Sequence, residues 1–348
     1  MSKAAELANL IGNINAGGGT GQNKNALING SFNVAQRGTS VTGIGVDDYG
    51  LDRWKQFASL GGMTGRSTHS QETITDLEGF TKALKIAVTT TETPASNESY
   101  ALVQRLEAQD SIRFGVGTSN AKPLALSFYA KANAAITLPA GLRMQGGGIY
   151  LNNFNITTSW QRFTLSIPAT TDTNMATTNT GTDMGAEVFI TLMANAIIQT
   201  ASTETWTDTA NLGASGMGNL YTSTSNFLFV TGVQLEVGQN PTEFEHEPFE
   251  RTLTKCQRYA YDITGVDAYI GGSPGTGTSY DFYLPMAFPV EMRATPTATN
   301  YTYTASNSAI SNGAFANSAK SWKVSIRPNS VTTEQGVIID SGIFEAEL

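Results

Sequence analysis

Apolar side chains two residues apart constrain this chain more than any other feature. Phe227, Phe229, Thr231, Val233, Leu235 and Val237 have that spacing, which places them on one face of an extended strand. It recurs at Leu84, Ile86 and Val88; at Leu124, Leu126, Phe128 and Ala130; at Phe163, Leu165 and Ile167; and at Val188, Ile190 and Leu192. Strands that bury one face pack as antiparallel sheets face to face, so the expected architecture is a β-sandwich. Only 14% of the residues are charged, and Gly, Ser, Thr and Asn fill much of the remainder, as in all-β chains with many turns.

The alternation stops at Gly238-Gln239-Asn240-Pro241. Beyond it Phe249, Leu253, Cys256 and Ala260 recur at four, three and four residues, one face of a short amphipathic helix that opens a new unit. A chain of 348 residues exceeds what one core fills, about 250 to 300 residues. In the second unit Tyr280, Phe282 and Leu284 alternate, Pro285 and Pro289 keep that segment at a sheet edge, Trp322, Val324 and Ile326 alternate again, and Val337 to Phe344 reads as the last strand. The Gly146-Gly147-Gly148 turn and the Thr-rich loop from Ala169 to Gly181 read as exposed connections.

At the other end Ala4, Leu7, Ala8, Ile11 and Ile14 mark a helical face, with Ser2 as N-cap and Gly17-Gly18-Gly19 as its stop. A helix of about a dozen residues is marginal alone in water, so its stripe needs a partner surface. The domains expected are therefore an N-terminal attachment helix and glycine linker over 1–21, a β-sandwich over 22–248, and a linker helix with a smaller β domain over 249–348.

A net charge of -8, with 21 scattered basic residues, argues against a nucleic-acid partner. One cysteine, Cys256, excludes an intramolecular disulfide. No run reaches the ~18 apolar residues of a membrane span, so no membrane insertion is expected. The start of the chain does not read as a secretion signal, which suits cytoplasmic assembly.

The run through Gly238, Pro241, Phe244, His246, Pro248 and Phe249 to Cys256-Gln257-Arg258-Tyr259 resembles a segment shared by many bacteriophage and prophage tail-fibre proteins. So do Met1 to Gly12, Asn25 to Ser40 with Leu51-Asp52-Arg53-Trp54, Phe288 to Arg293 with Pro296, and the ending Phe344 to Leu348. Asn25 to Phe32, Val103 to Leu106, Leu126 to Ala132, Ser159 to Phe163 and Val233 to Leu235 follow an order that resembles the jelly rolls of carbohydrate-binding modules. The first resemblance implies a virion protein, most simply a homotrimer held to other phage tail proteins, that meets a host cell-surface glycan or protein. In it Leu7, Leu10, Ile11 and Ile14 attach the fibre or zip its copies together, and the domain over 249–348 is expected to serve as the outward, receptor-binding tip.

Chemistry-bearing groups are few. His69 and His246 stand in no nucleophile setting, and Cys256 reads as a buried thiol. Glu243, Glu245, Glu247 and Glu250, and the pair Asp47 and Asp48, read as turn and capping groups, so no catalytic residue is assigned and no enzyme is expected. Gly17 to Gly21 lacks the strand and the Lys-Ser/Thr of a phosphate loop. No cofactor is expected; a structural calcium would draw on Asp52, Asp110 and Glu236, without the regular spacing of a calcium loop. Sugar binding uses exposed rings beside amide and carboxylate groups, and Trp206, Tyr221, Tyr269, Tyr301, Tyr303 and Trp322 stand in polar surroundings, whereas Trp54 and Trp160 read as core. The expected function is a tail fibre or tail-associated adhesion protein located in the virion tail; the alternatives are a tail adaptor or capsid decoration protein without host contact, and a glycan-degrading enzyme.

Overall fold

The computed structural model describes residues 24–209, 211–270, 282–306, 308–309, 314–328 and 335–348. The expected attachment helix with Leu7, Leu10, Ile11 and Ile14, and Tyr280, lie outside the described residues. The chain separates into two compact units, one through Pro248 together with Leu348, the other from Phe249 to Glu347.

The first unit is an antiparallel β-sandwich. Its six-stranded sheet runs Ser40–Ile44, Arg66–Thr73, Lys82–Thr90, Phe227–Val237, Leu124–Ala132, Gln161–Ile167. Its seven-stranded sheet runs Thr207–Asp208, Gly148–Ile156, Ile136–Met144, Met184–Ala194, Ser99–Glu107, Lys55–Ala58, Asp48–Tyr49. The chain passes repeatedly from one sheet to the other, so the inner faces share one core that includes Trp54, Leu84, Ile86, Leu102, Leu126, Phe128, Val188 and Ile190. The Gly146 to Gly148 turn and the Thr-rich loop are exposed over most of their length, as expected, and they touch: Gly146 lies against the Ala176 carbonyl and Gly148, which is buried, against Met175.

The strand Phe227–Val237 departs from simple alternation. Thr231 stands opposite Tyr129 and Gln234 opposite Ser127, so Gly232 and Val233 together face the single residue Phe128. This β-bulge places Gly232 at φ +61°, the left-handed region that suits glycine. A β-carbon there would lie 2.7 Å from the Phe80 ring and 2.9 Å from that of Tyr129. The extra residue reverses the facing of the strand. Leu228 and Val230 are buried before it, Val233 and Leu235 after it, and Phe227 and Phe229 lie half-buried on the outer face. Period-two spacing had put Phe227 and Phe229 on the same face as Val233 and Leu235; the bulge overturns that.

The bulge also marks a change of partner. Phe227 to Val230 pair with Lys82–Thr90, but beyond it Val233 donates to the Gly30 carbonyl and Ala26 donates to the Leu235 carbonyl. The irregular segment 25–36 is buried there, and side chains satisfy its backbone. Asn25 donates to the Val233 carbonyl, while its Oδ1 accepts from Leu27 and Leu235. Asn29, at φ 57°, donates to the carbonyls of Val34 and Asp52 and accepts from Val34. Gln104 brackets Ile28 through both its amide atoms, and the Trp54 indole donates to the Asn29 carbonyl. Asp52 accepts from the Gln36 backbone and side-chain amides, each at 2.6 Å. Replacing Asn29 with Ala orphans buried backbone groups, each costing about 1–3 kcal/mol; urea denaturation of N29A is expected to show a loss of about 3 kcal/mol.

His69 sits inside the sandwich on Arg66–Thr73 with neither ring nitrogen hydrogen-bonded, and the Gly50 backbone presses on its ring. Burial pulls its pKa from 6.5 down to about 3. Between those values the unfolded chain takes up a proton that the folded chain refuses, so stability falls as pH drops, by up to about 1.4 kcal/mol per pH unit. Denaturation midpoints measured from pH 7 to 4 are expected to fall less steeply for His69→Gln than for the parent.

In the second unit, Ala260–Asp262, Asp267–Ile270 and Thr297–Ser306 all pair with Gln335–Glu345. Phe282–Ala287 and Ala314–Ala316 flank Ser321–Pro328, so Pro285 lies on an edge strand. The core holds Phe288, Met292, Trp322, Val324, Ile339 and Phe344. The helix runs Phe249–Gln257 and buries Thr252 and Cys256. Two residues of its expected apolar face lie elsewhere: Phe249 is 51% exposed, and Ala260 already belongs to a strand. Among the described residues no helix is long and apolar enough to cross a membrane.

Candidate functional site

The outer face of the six-stranded sheet carries an open group of aromatic rings. The bulge turns Phe227 and Phe229 outward, and Lys85 and Lys131 stand directly opposite Phe229 on the neighbouring strands. Trp160 immediately precedes Gln161–Ile167, and its parity is opposite to that of Phe163, which packs on the core. The Trp160 ring therefore lies on the outside, edge-on to Phe229 at 6.0 Å, and Phe227 is edge-on to Phe229 at 5.6 Å. All three are half-buried, so part of each ring meets solvent.

Two ammonium groups stand over these rings. Lys131 Nζ is 4.9 Å from the centre of Trp160 and 5.2 Å from that of Phe229. Lys85 Nζ is 5.0 Å from Phe227 and 5.6 Å from Phe229. Asp76 fixes the group from its edge, accepting the Trp160 indole N–H at 2.9 Å and an ion pair from Lys131. Those two hydrogen bonds, Lys131 first, hold its carboxyl below the usual carboxylate range against a small desolvation in the other direction.

Beyond Phe229 the same face is roofed. Phe80 packs at 5.1 to 5.2 Å on Tyr129, Phe244 and His246, which closes that end of the sheet. Glu236 accepts from both the backbone and the hydroxyl of Thr242, and Gln234 accepts from the Glu245 backbone, tying the turn after the strand onto it. The face thus has a closed end and an open aromatic end.

The expected sugar-contact residues divide. Tyr221 is fully buried, its ring 5.1 Å from that of Tyr100 and its hydroxyl donating to Gln56 at 2.6 Å; burial pushes its pKa upward. Trp322 is 1% exposed and packs against Phe288 and Phe344. Both are corrected from surface to core. For Trp322 the signal was present, since it alternates with Val324 and Ile326, which are buried too. Trp206 is half-buried, donates to the Pro168 carbonyl at 2.8 Å and packs on Tyr150. Tyr269 and Tyr303 are 46% and 41% exposed, and the Tyr269 ring lies over Gly336 on the paired strand. Tyr301 is half-buried at 5.7 Å from Tyr303, and burial raises its pKa to about 12. Trp54 is core as expected, whereas Trp160 is not.

Six of the carboxylates considered for catalysis and calcium are engaged by local partners. Asp47 pairs with Lys55 at 3.1 Å, Asp48 accepts from Gly45, Glu243 pairs with Arg162, and Glu245 accepts from the Asn25 backbone. Asp52, in a turn, and Glu236, on the strand Phe227–Val237, are each buried among their own donors, and Asp110 is in the short helix Ala108–Ser111, so the expected calcium set does not converge. Among the described residues no three His, Cys, Asp or Glu side chains gather as a metal set.

No protein-family model matches the chain, and no curated protein matches it. Solved structures similar to it include carbohydrate-binding modules. A family 4 module (CBM4) is 13% identical, with 60% of this chain and 97% of that one covered at a TM-score of 0.31. A family 11 module of a Clostridium thermocellum cellulosomal cellulase is 12% identical over 60% and 98%, at 0.29. The N-terminal cellulose-binding domain of a Cellulomonas fimi β-1,4-glucanase is 15% identical over 58% and 100%, at 0.30. The site is defined by the rings and charges of this chain.

Removing the Lys131 ammonium takes away the largest influence on Asp76. Carboxyl NMR titration is expected to find Asp76 below the ordinary Asp value in the parent and shifted upward in Lys131→Met, with a smaller upward shift in Trp160→Phe.

Proposed function

We propose that the chain is a non-catalytic adhesion protein of a phage tail, and that the outer face of its six-stranded sheet binds a host cell-surface glycan. The observation that carries the binding is the open group of Trp160, Phe227 and Phe229, held on rigid strands beside Asp76 and two lysines. Sugar rings present apolar C–H faces and hydroxyl edges, and such a surface offers flat rings for the first and polar groups for the second. Tyr269 and Tyr303 give the second unit exposed rings of the same chemistry. The virion setting is supported by the sequence resemblance at both ends and around Gly238 to Tyr259. In that setting residues 1–21 attach to other tail proteins or join three copies, and weak sites acting together gain avidity.

Whole-cell binding and a glycan array, read with the intact chain, test this. Trp160→Ala and Phe229→Ala are each expected to weaken binding about tenfold, the loss of one aromatic contact of about 1.4 kcal/mol, with circular dichroism unchanged. Undiminished binding by the double variant would sink the sheet-face site. A folded chain that binds no host cell and no glycan would instead favour a tail adaptor without host contact.

A further inference from the structure

Resting on the reading of this face as a glycan site, we infer that its ligand is acidic, a glycan bearing a carboxylate such as a uronic or sialic acid, and that Lys85 is the residue that recognises the charge. The charges of the face motivate this. Lys131 is neutralised by Asp76, and Arg162, further along, by Glu243. Lys85 is different. It stands over Phe227 and Phe229, and no carboxylate of the described residues lies within the 4.0 Å of an ion pair. On the adjacent strand Glu72 lies two residues from Ser70, the partner of Lys85 across the strands, and accepts the Ser70 hydroxyl at 2.8 Å.

The groups in direct contact with these rings are therefore two ammonium groups and one carboxylate, and Lys85 is the ammonium group with no ion-pair partner among the described residues. A cation over aromatic faces is partly stripped of water, which raises the return from an incoming anion compared with a fully solvated lysine. The Phe229 ring is flanked by both ammonium groups, at 5.2 and 5.6 Å. A sugar lying on Phe229 would thus place its carboxylate beside Lys85, while Asp76, whose oxygens accept hydrogen bonds, stays at the Trp160 side for hydroxyl groups. Neutral glycans would leave Lys85 unpaired, so the preference follows from charge complementarity at one residue.

The test is a glycan array built of matched pairs, each acidic oligosaccharide beside its methyl ester, probed with the full chain and with Lys85→Met and Trp160→Ala. The expected result is binding to acidic members at least tenfold above their esters, a preference that shrinks with added sodium chloride. Lys85→Met should remove that preference, bringing acid and ester to equal binding, and Trp160→Ala should weaken both members of a pair. Equal binding of acid and ester, or a preference untouched by Lys85→Met, overturns the acidic-ligand inference; continued sensitivity to Trp160→Ala would then leave the glycan site standing. Failure of the parent to bind any member overturns both.

Discussion

One extra residue at Gly232 sets both the architecture of the first unit and its exposed chemistry. The strand Phe227–Val237 is the third-from-edge strand of its sheet and would, with perfect alternation, present one apolar face along its whole length. The bulge splits it into halves of opposite facing. The first half pairs with Lys82–Thr90 and shows phenylalanines to solvent; the second pairs with the segment 25–30 and buries valine and leucine. A β-carbon at Gly232 would strike Phe80 and Tyr129 and strain a left-handed backbone, so the device depends on glycine.

The second half of that strand is useful only because an irregular segment can be buried beside it. Buried loop backbone is costly unless each N–H and C=O finds a partner. Here Asn25, Asn29, Asp52, Gln104 and Trp54 supply those partners. With a single cysteine in the chain, side-chain amides and carboxylates do the cross-linking that a disulfide would do elsewhere. The same economy explains why Asp52 and Glu236, plausible metal donors by residue type, are already engaged with backbone and side-chain donors.

Exposed rings normally invite aggregation, yet those on the outer face are kept apart by charge. Lys85 and Lys131 cover ring faces, and Asp76 pins the Trp160 indole by its N–H. Rigidity of this kind lowers the ordering cost of binding, which is the physical link between the fold and the proposed adhesion.

The sequence by itself determined the class of fold, the strands with regular alternation, and the break between Pro248 and Phe249, because period-two burial and Gly/Pro stops are local signals. Val188, Ile190 and Leu192 are core, as are Trp322, Val324 and Ile326, and the parity that turns the half-buried Phe163 toward the core also implies that Trp160 faces out. What only the tertiary structure decided is which rings are exposed. Tyr221 stands among polar neighbours in the sequence, but its hydroxyl finds Gln56 and Ser67 from distant strands, which permits full burial. Phe227 and Phe229 look like core by spacing, and a bulge whose geometry depends on the opposite strand turns them outward. Facing after a bulge, and the pairing of polar groups far apart in the chain, are properties of neighbours in space, and local periodicity carries no record of them.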